Sequence, residues 1–98
     1  MRLNLIIKKE WFLAIKSGDK TKEYRYVSER LTRQICNLDE NGKFLSYKPI
    51  TELMLYNGYR KDRPSMLVEC VGIEKESDGD SRDEVYVFSL GKVLFCSI

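Results

Sequence analysis

The chain has 98 residues, of which 43% are hydrophobic and 33% are charged, and its formal net charge is +2. This length allows one hydrophobic core, and the apolar fraction excludes a disordered chain. The absence of histidine excludes Ser-His-Asp and Cys-His catalysis and the common histidine zinc sites, so any proton transfer must use lysine, carboxylate, tyrosine or cysteine.

The first part of the chain predicts a strand, a helix and a second strand. Apolar residues alternate along residues 3–8, as in a buried or half-buried strand. The spacing becomes helical over residues 9–17, and Gly18 follows at the position where a helix commonly ends on a left-handed residue. Residues 20–25 carry no helical stripe, so they predict a strand that leaves this helix cap.

The rest of the chain predicts a short helix, an irregular segment and then strands. Apolar residues recur every fourth position over residues 27–35, and Ser28 is suited to cap this helix. Residues 37–48 show little periodicity and predict either a loop or a ragged hairpin. The acidic run at residues 78–84 breaks the EF-hand pattern and predicts a turn. The three strand-like segments, which turn-rich segments separate, are residues 50–59, 65–74 and 84–98.

These elements predict one α+β domain over residues 1–98. Five to six strands follow or flank two short helices that lie early in the chain. A sheet of short strands that curls into a small β-barrel also removes the exposed strand edges that promote aggregation. We therefore expect a small barrel with two helices.

Cysteine usage and hydropathy predict the compartment and the absence of cofactors. The three cysteines are far apart and form no CxxC, which favours reduced, mostly buried thiols over a disulfide framework or a zinc site. No apolar run approaches the roughly 20 residues that span a bilayer, and the N-terminal residues lack the features of a signal peptide. The sequence thus predicts a cytoplasmic protein without a cofactor, a metal ion or a membrane partner.

A charged motif follows the first helix and can be written Gly18-x-Lys20-x-x-Glu23-x-Arg25. In a strand, Glu23 and Arg25 point to the same face, so they can share an ion pair or a ligand. Lys20 has the other parity and joins them only if the chain bends between Gly18 and the strand. The alternative is a solvated strand edge with a surface ion pair that contributes little to stability.

A second charged position, Glu69, lies in the apolar segment of residues 65–74, with apolar neighbours on both faces of the predicted strand. A buried carboxylate is unfavourable unless a cation pairs with it or it holds a proton. Lys20 and Arg25 are the candidate cations, and strongly coupled charges in a small cleft are typical of a functional site. The alternative is an exposed edge position or a purely structural ion pair.

A third feature, the segment YNGYRKDRP at residues 56–64, combines aromatic and basic side chains. Aromatic rings can stack on a base while guanidinium and ammonium groups hold phosphates, as in proteins that bind single strands. The alternative is an ordinary charged hairpin loop. The residues that predict nucleic-acid contact are Tyr56, Tyr59, Arg60, Lys61 and Arg63.

The motif Gly18-x-Lys20-x-x-Glu23-x-Arg25, placed after a first strand and helix, resembles the signature of the ASCH domain, a small β-barrel related to the PUA domains of RNA-modifying proteins. The segments LIIKKEWFLAIKSGDKTKEYR, NGYRKDRPSMLVECVGI and VFSLGKV are also similar to short ASCH proteins, and the resemblance is weakest over residues 30–48. It implies a PUA-like barrel whose motif residues gather at a cleft that binds RNA, a nucleotide or a modified nucleoside. The cleft residues that we expect are Lys20, Glu23, Arg25 and Glu69, with Tyr56, Tyr59, Arg60, Lys61 and Arg63 in the adjoining loop.

One branch of the ASCH family hydrolyses N4-acetylcytidine with a lysine, a threonine nucleophile and a glutamate. The resemblance matches Lys20 to the lysine and Glu69 to the glutamate, whereas Glu23 stands in place of the threonine. A carboxylate is a poor replacement for a hydroxyl that forms an ester, so this departure favours a binding module.

Two alternatives to a binding module remain. The first is a metal-free amidohydrolase with Lys20, Glu23 and Glu69 as catalytic residues, in which a carboxylate activates water and Lys20 or Arg25 stabilises the oxyanion. The second is a phage or bacterial accessory protein that acts through a protein partner or sequesters a signalling nucleotide.

Overall fold

The chain folds into two helices and seven strands within residues 1–77 and 83–98, the residues that this computed structural model describes. The predicted α+β class and the two helices are confirmed. Most of the acidic run, residues 78–82, lies outside the described residues. In chain order the elements are β1 (Arg2–Ile7), α1 (Lys9–Ser17), β2 (Lys22–Tyr26), α2 (Glu29–Ile35), β3 (Cys36–Leu38), β4 (Phe44–Tyr47), β5 (Glu52–Asn57), β6 (Ser65–Ser77) and β7 (Glu84–Cys96).

Five of the strands form one curled sheet in the order β1-β5-β6-β7-β2. Strand β1 is parallel to β5, and the other neighbouring strands are antiparallel. The pairing of β6 with β7 changes register at three places between Leu67 and Gly72. Such irregularities increase twist and bend a sheet. The predicted barrel is therefore present as a half-barrel of five strands, whose edge strands are β1 and β2.

Residues 36–47 form the ragged hairpin that was one of the two predictions for this segment. Strands β3 and β4 pair antiparallel as a separate sheet, with a register shift between Asn37 and Leu38. The turn is held by Asp39, whose Oδ1 accepts hydrogen bonds from the backbone N–H groups of Asn41 and Lys43, both at 2.8 Å. This small sheet lies beside α2, which leads directly into β3.

The core fills the concave face of the half-barrel and draws on both helices. Alternate residues of β1 and β5, such as Leu5 and Leu55, are buried there and lie opposite each other in register. Phe12 of α1 and Ile35 of α2 belong to the same buried cluster. Burial of each such side chain contributes about 1.5–3 kcal/mol. Neither helix in the described part of the chain is long and apolar enough to cross a membrane.

The end of α1 and the start of α2 follow from local chemistry that the sequence predicted. At the end of α1, Gly18 adopts the left-handed conformation with φ of 87°, and its N–H donates to the Ile15 carbonyl at 3.1 Å. At the start of α2, the Ser28 hydroxyl accepts a hydrogen bond from the Leu31 N–H at 3.1 Å. The Gly18 turn directs the chain into β2, where Glu23 and Arg25 lie.

Candidate functional site

Lys20, Glu23 and Arg25 come together beside strand β2, and we refer to them as the charge cluster. Glu23 is 5% exposed and is the only charged side chain among the described residues that is buried. Its Oε1 lies 3.8 Å from Lys20 Nζ, and its Oε2 lies 3.4 Å from Arg25 Nη2. A buried carboxylate is tolerated when cations and hydrogen bonds compensate its lost hydration. The backbone N–H of Tyr24 adds a further hydrogen bond to Oε1 at 3.0 Å.

The geometry of the charge cluster follows from strand parity and from one bend. Glu23 and Arg25 are two residues apart in β2, and their partners in β7, Phe88 and Tyr86, are both buried, so this face of β2 points to the core. Lys20 precedes β2, and its backbone N–H donates to the Ala14 carbonyl at 3.0 Å, which folds the chain back onto α1. The bend that Lys20 requires to join Glu23 and Arg25 is therefore present.

Arg25 also connects the two edges of the half-barrel. Its Nη2 donates to the carbonyl oxygen of Ile6 in β1 at 2.7 Å, the distance of a charge-assisted hydrogen bond. Strands β1 and β2 are at opposite ends of the sheet order, so this contact shows how far the sheet curls. A guanidinium has five N–H donors, and the contacts to Ile6 and Glu23 both use Nη2.

A cavity of about 410 Å³ opens between the two edge strands, and we call it the seam pocket. Ligand pockets commonly measure about 300–1,000 Å³. Its walls combine the charged face of β2 with the start of α1 and the end of β1. The lining residues are Ile6, Ile7, Lys8, Trp11, Glu23, Tyr24, Arg25 and Tyr26.

Two aromatic rings that line the seam pocket flank the ammonium group of Lys20. Lys20 Nζ lies 5.3 Å from the centroid of the Trp11 ring and 5.1 Å from that of Tyr24, within the range of cation–π contacts. Trp11 and Tyr24 are both about half exposed. Both rings are therefore partly accessible from solvent beside the charge cluster.

Trp11, Tyr24 and Lys8 were not among the predicted site residues. Trp11 is four residues from Ile15 and so lies on the same side of α1, yet Trp11 is 46% exposed whereas Ile15 is buried. The alternation of charged and aromatic residues in EYRY, residues 23–26, is the one sequence signal for Tyr24. No signal in the sequence indicates that the start of α1 lies against β2.

The structure does not bring Glu69 to the charge cluster. Along β6, Val68 and Cys70 are buried toward the core, whereas Glu69 is half-buried on the opposite face of the middle strand of the sheet. Its Oε1 accepts a hydrogen bond from the backbone N–H of Lys92 at 3.0 Å. A Cβ on Gly91 would approach the Glu69 Cβ to 3.1 Å, so Gly91 permits this close contact between β6 and β7.

The predicted aromatic and basic residues lie in residues 56–64, the end of β5 and the loop that follows it, which we call the basic loop. Arg63 helps to hold its shape, because its guanidinium lies 4.0 Å from the Tyr56 ring centroid and its Nη1 donates to the Gly58 carbonyl at 3.2 Å. Tyr59 is 84% exposed, and the exposed Arg60 pairs with Asp62 at 3.5 Å. Lys61 is also exposed. Thus Tyr59, Arg60 and Lys61 can meet a partner, whereas Tyr56 and Arg63 organise the loop.

The basic loop and the seam pocket lie at the same end of the sheet. Strands β1 and β5 are parallel, and their last residues, Ile7 and Asn57, are register partners. The Asn57 side chain donates to the Ile7 carbonyl at 3.1 Å, next to the Ile6 carbonyl that Arg25 holds. The end of β1 therefore links the charge cluster to the loop.

Metal ligands and disulfides do not form part of this site. Within residues 1–77 and 83–98, no group of three His, Cys, Asp or Glu residues is arranged to hold a metal ion. The three cysteines are free thiols, of which Cys36 and Cys70 are buried. Burial raises the pKa of the Cys70 thiol, which makes it a weaker nucleophile at neutral pH.

The chain was compared with family models, with curated proteins and with solved structures, and no match was found in any of the three. The resemblance to the ASCH domain therefore stays a prediction that rests on the motif residues.

Proposed function

We propose that this chain is a PUA-like binding module of the ASCH type, which binds RNA, a nucleotide or a modified nucleoside in the seam pocket. The observation that carries the proposal is the position of the Lys20 ammonium, which lies between the Glu23 carboxylate and the rings of Trp11 and Tyr24. The pocket thus offers two aromatic surfaces together with a hydrogen-bond acceptor and several cationic donors. A base can stack on an aromatic ring while its polar edge bonds to such groups.

The donors and acceptors of the charge cluster complement the mixed edge of a base. A carboxylate accepts hydrogen bonds, as Glu23 does, whereas the guanidinium of Arg25 and the ammonium of Lys20 only donate. Two exposed cations can contact the phosphates of a nucleotide or of a short single strand. They are Lys8 at the seam pocket and Lys61 in the basic loop.

Trp11 supplies a direct test because it is the only tryptophan of the chain and lies at the seam pocket. We would titrate the protein with nucleoside monophosphates and with single-stranded RNA of about six nucleotides, and record tryptophan fluorescence at 50 and 200 mM salt. Saturable quenching that weakens with salt is expected, because phosphate contacts release counterions. A flat titration with every ligand at millimolar concentration contradicts the proposal.

A pair of adjacent lysines distinguishes the pocket from general charge. Lys20→Ala removes the ammonium at the charge cluster, whereas Lys22→Ala removes an equal charge from an exposed position two residues later, at the start of β2. We expect Lys20→Ala to raise the Kd about tenfold, since it removes a charged contact, and Lys22→Ala to change the Kd less than about twofold. Equal effects of the two variants would mean that the seam pocket is not the binding site.

Hydrolysis of a modified nucleoside is a second candidate function, favoured by one observation. The Lys20 ammonium and the Glu23 carboxylate form an ion pair, 3.8 Å apart, so a carboxylate that could activate water lies beside a cation that could stabilise an oxyanion. Incubation with N4-acetylcytidine tests it, because hydrolysis consumes water and releases cytidine and acetate, which chromatography separates. Turnover that Lys20→Ala abolishes would support an amidohydrolase. Unchanged substrate across a panel of amides would contradict hydrolysis and leave binding as the only candidate function.

A further inference from the structure

A second and larger cavity lies between the β3–β4 hairpin and the main sheet, and we call it the hairpin cleft. Its volume is about 650 Å³, compared with about 410 Å³ for the seam pocket. Helix α2 and both strands of the hairpin form one side, and β6 and β7 form the other. This volume falls in the range of about 300–1,000 Å³ that is usual for small-molecule sites.

Aromatic rings line the side of the hairpin cleft that the hairpin provides. Phe44 and Tyr47 make an edge-to-face contact with ring centroids 4.9 Å apart, and Tyr47 makes a second such contact with Tyr86 at 6.4 Å. Although it lines a cavity, Phe44 remains 54% exposed. A planar ring in the cleft would bury this surface and extend the series of edge-to-face contacts.

The hydroxyl groups of Tyr86 and Thr32 give the cleft a hydrogen-bond donor. Their oxygens are 2.6 Å apart. The two hydroxyls carry two protons and their mutual bond uses one, so the second proton can be donated elsewhere. The thiol sulfur of Cys36, 3.7 Å from the Tyr86 oxygen, is only a weak acceptor. Burial is the main cause that raises the pKa of Tyr86, so this hydroxyl stays protonated at neutral pH.

The charges around the hairpin cleft balance, unlike those of the seam pocket. Glu74 and Lys75 are the charged residues that line it, and they carry opposite charges. Lys75 is in addition paired with Glu84, at 3.6 Å. An anionic ligand would therefore meet a single cation, Lys75, which already has a carboxylate partner, and the carboxylate of Glu74 beside it.

We propose that the hairpin cleft is a binding site for a neutral planar ring compound, which packs against Phe44 and Tyr47 and accepts a hydrogen bond from the hydroxyl pair of Tyr86 and Thr32. The inference is independent of the function proposed for the seam pocket. It names a ligand of different chemistry, because this cleft offers rings and one neutral donor instead of cations.

Three soluble fused-ring probes test each part of this proposal. Quinolin-2-one is neutral and has a carbonyl acceptor, indole is neutral and has no such acceptor, and quinoline-2-carboxylate is an anion. Titrations followed by two-dimensional amide NMR should show shifts of Phe44, Tyr47 and Tyr86 with quinolin-2-one. We expect its Kd to be about fivefold lower than that of indole, which corresponds to one hydrogen bond, and lower than that of the carboxylate.

Two variants and a matched control identify the contacts. Tyr86→Phe/Thr32→Val removes both hydroxyls while it keeps the ring of residue 86 and the size of residue 32, and it should abolish the preference for quinolin-2-one over indole. Phe44→Ala changes an exposed residue, which avoids a disturbed core, and should weaken both neutral probes about tenfold by loss of stacking. Phe95→Ala is the control, because Phe95 is likewise 54% exposed but lies near the end of β7, away from the cleft. It should leave both Kd values unchanged.

Three results would overturn the proposal. The first is the absence of saturable shifts at the hairpin with millimolar quinolin-2-one. The second is an equal response of the Phe44→Ala and Phe95→Ala variants. The third is a set of shifts at Phe44 and Tyr47 that appears when protein concentration alone is raised, since a second copy of the chain would then cover the cleft.

Discussion

At the scale of single residues, the buried carboxylate of Glu23 governs both stability and the candidate site. Both of its oxygens have partners, since Oε1 meets Lys20 and the Tyr24 N–H while Oε2 meets Arg25. These contacts fix the carboxylate at the pocket wall and keep the two cations in place. Because Glu23 compensates two cations in the folded state, its substitution should change the free energy of unfolding.

Glu23→Gln keeps the shape of the side chain and removes its charge. We expect unfolding free energy to fall by about 1–3 kcal/mol, less than the 3–5 kcal/mol for a fully buried pair, because the side chains of Lys20 and Arg25 are 19% and 28% exposed. Glu29→Gln is the control, since its contact to Arg33 is short, at 2.6 Å, but exposed, and should contribute below about 0.5 kcal/mol. Urea unfolding of both variants measures the difference, and equal losses would contradict the importance of burial.

The raised pKa of Tyr86 predicts that the free energy of unfolding decreases at alkaline pH. Burial raises its pKa in the folded chain above the ordinary value of 10.0. The Tyr86 hydroxyl thus makes its full contribution to stability below pH 10. This contribution is lost as the pH rises through the higher pKa of the folded chain, because in that range only the unfolded chain releases the proton. Unfolding free energies measured between pH 8 and 11 should therefore fall less steeply for Tyr86→Phe than for the wild type.

The control for this alkaline effect is Tyr59→Phe, which removes the hydroxyl of an exposed tyrosine. The pKa values of Tyr47 and Cys70 are also raised, mainly by burial, but both groups are present in every protein compared and so do not contribute to the difference. If Tyr59→Phe and Tyr86→Phe reduced the pH dependence of the unfolding free energy equally, burial of Tyr86 would not be the cause of that dependence.

The sequence predicted the charged residues of the site better than their surroundings. Strand parity alone placed Glu23 and Arg25 on one face, because two-residue alternation is a local property. Parity left Lys20 apart, since the bend after Gly18 depends on a hydrogen bond to Ala14 in the preceding helix. The apolar neighbours of Glu69 were visible in the sequence, but which face of β6 points to the core depends on the assembled sheet.

At the scale of elements, one side chain connects the two edges of the half-barrel, and another connects β1 to its neighbour β5. Arg25 bonds from β2 to the Ile6 carbonyl of β1, and Asn57 bonds from β5 to the Ile7 carbonyl. Edge strands expose unpaired backbone groups, and side-chain bonds of this kind satisfy some of them. The helices and strands could be predicted from periodicity and caps, and a curled sheet was expected. That the sheet curls into a half-barrel and not a closed barrel could not be predicted, because the register shifts in β6 and β7 leave no distinct pattern in the sequence.

Arg25→Met should open the seam between β1 and β2, because it removes the bond to Ile6 and the pairing with Glu23 together. We expect hydrogen exchange of the β1 and β2 amides to accelerate at least about tenfold, in line with the loss of a charged hydrogen bond. Mass spectrometry of peptides from residues 1–8 and 21–27 measures this. The β3–β4 hairpin is an internal control, and a uniform acceleration that includes it would indicate global destabilisation instead.

At the scale of the whole molecule, the net charge of +2 is too small to attract a polyanion, so the distribution of charge decides how one would bind. Cations concentrate at one end of the sheet, where the charge cluster, Lys8 and the basic loop meet. The proposed function therefore predicts a dependence on local rather than total charge. This distinction can be tested with variants of equal net charge.

The double variant Arg60→Ala/Lys61→Ala removes two exposed cations of the basic loop and changes the formal net charge from +2 to 0. For single-stranded RNA, we expect the slope of log Kd against log salt concentration to decrease by about 1.4, or about 0.7 for each lost phosphate contact. Binding of a free nucleoside, which carries no phosphate, should remain unchanged because the seam pocket is intact. Fluorescence titrations at four salt concentrations give both quantities.

The control for local charge is Arg30→Ala/Lys43→Ala, which also lowers the formal net charge from +2 to 0 but acts on exposed residues of α2 and the hairpin turn. It should leave the salt dependence of RNA binding as it is in the wild type, because these cations do not line the seam pocket or the basic loop. If both double variants reduced the slope equally, the protein would attract RNA through its total charge. The basic loop would then have no specific contact with phosphate, even if nucleosides still bound in the seam pocket.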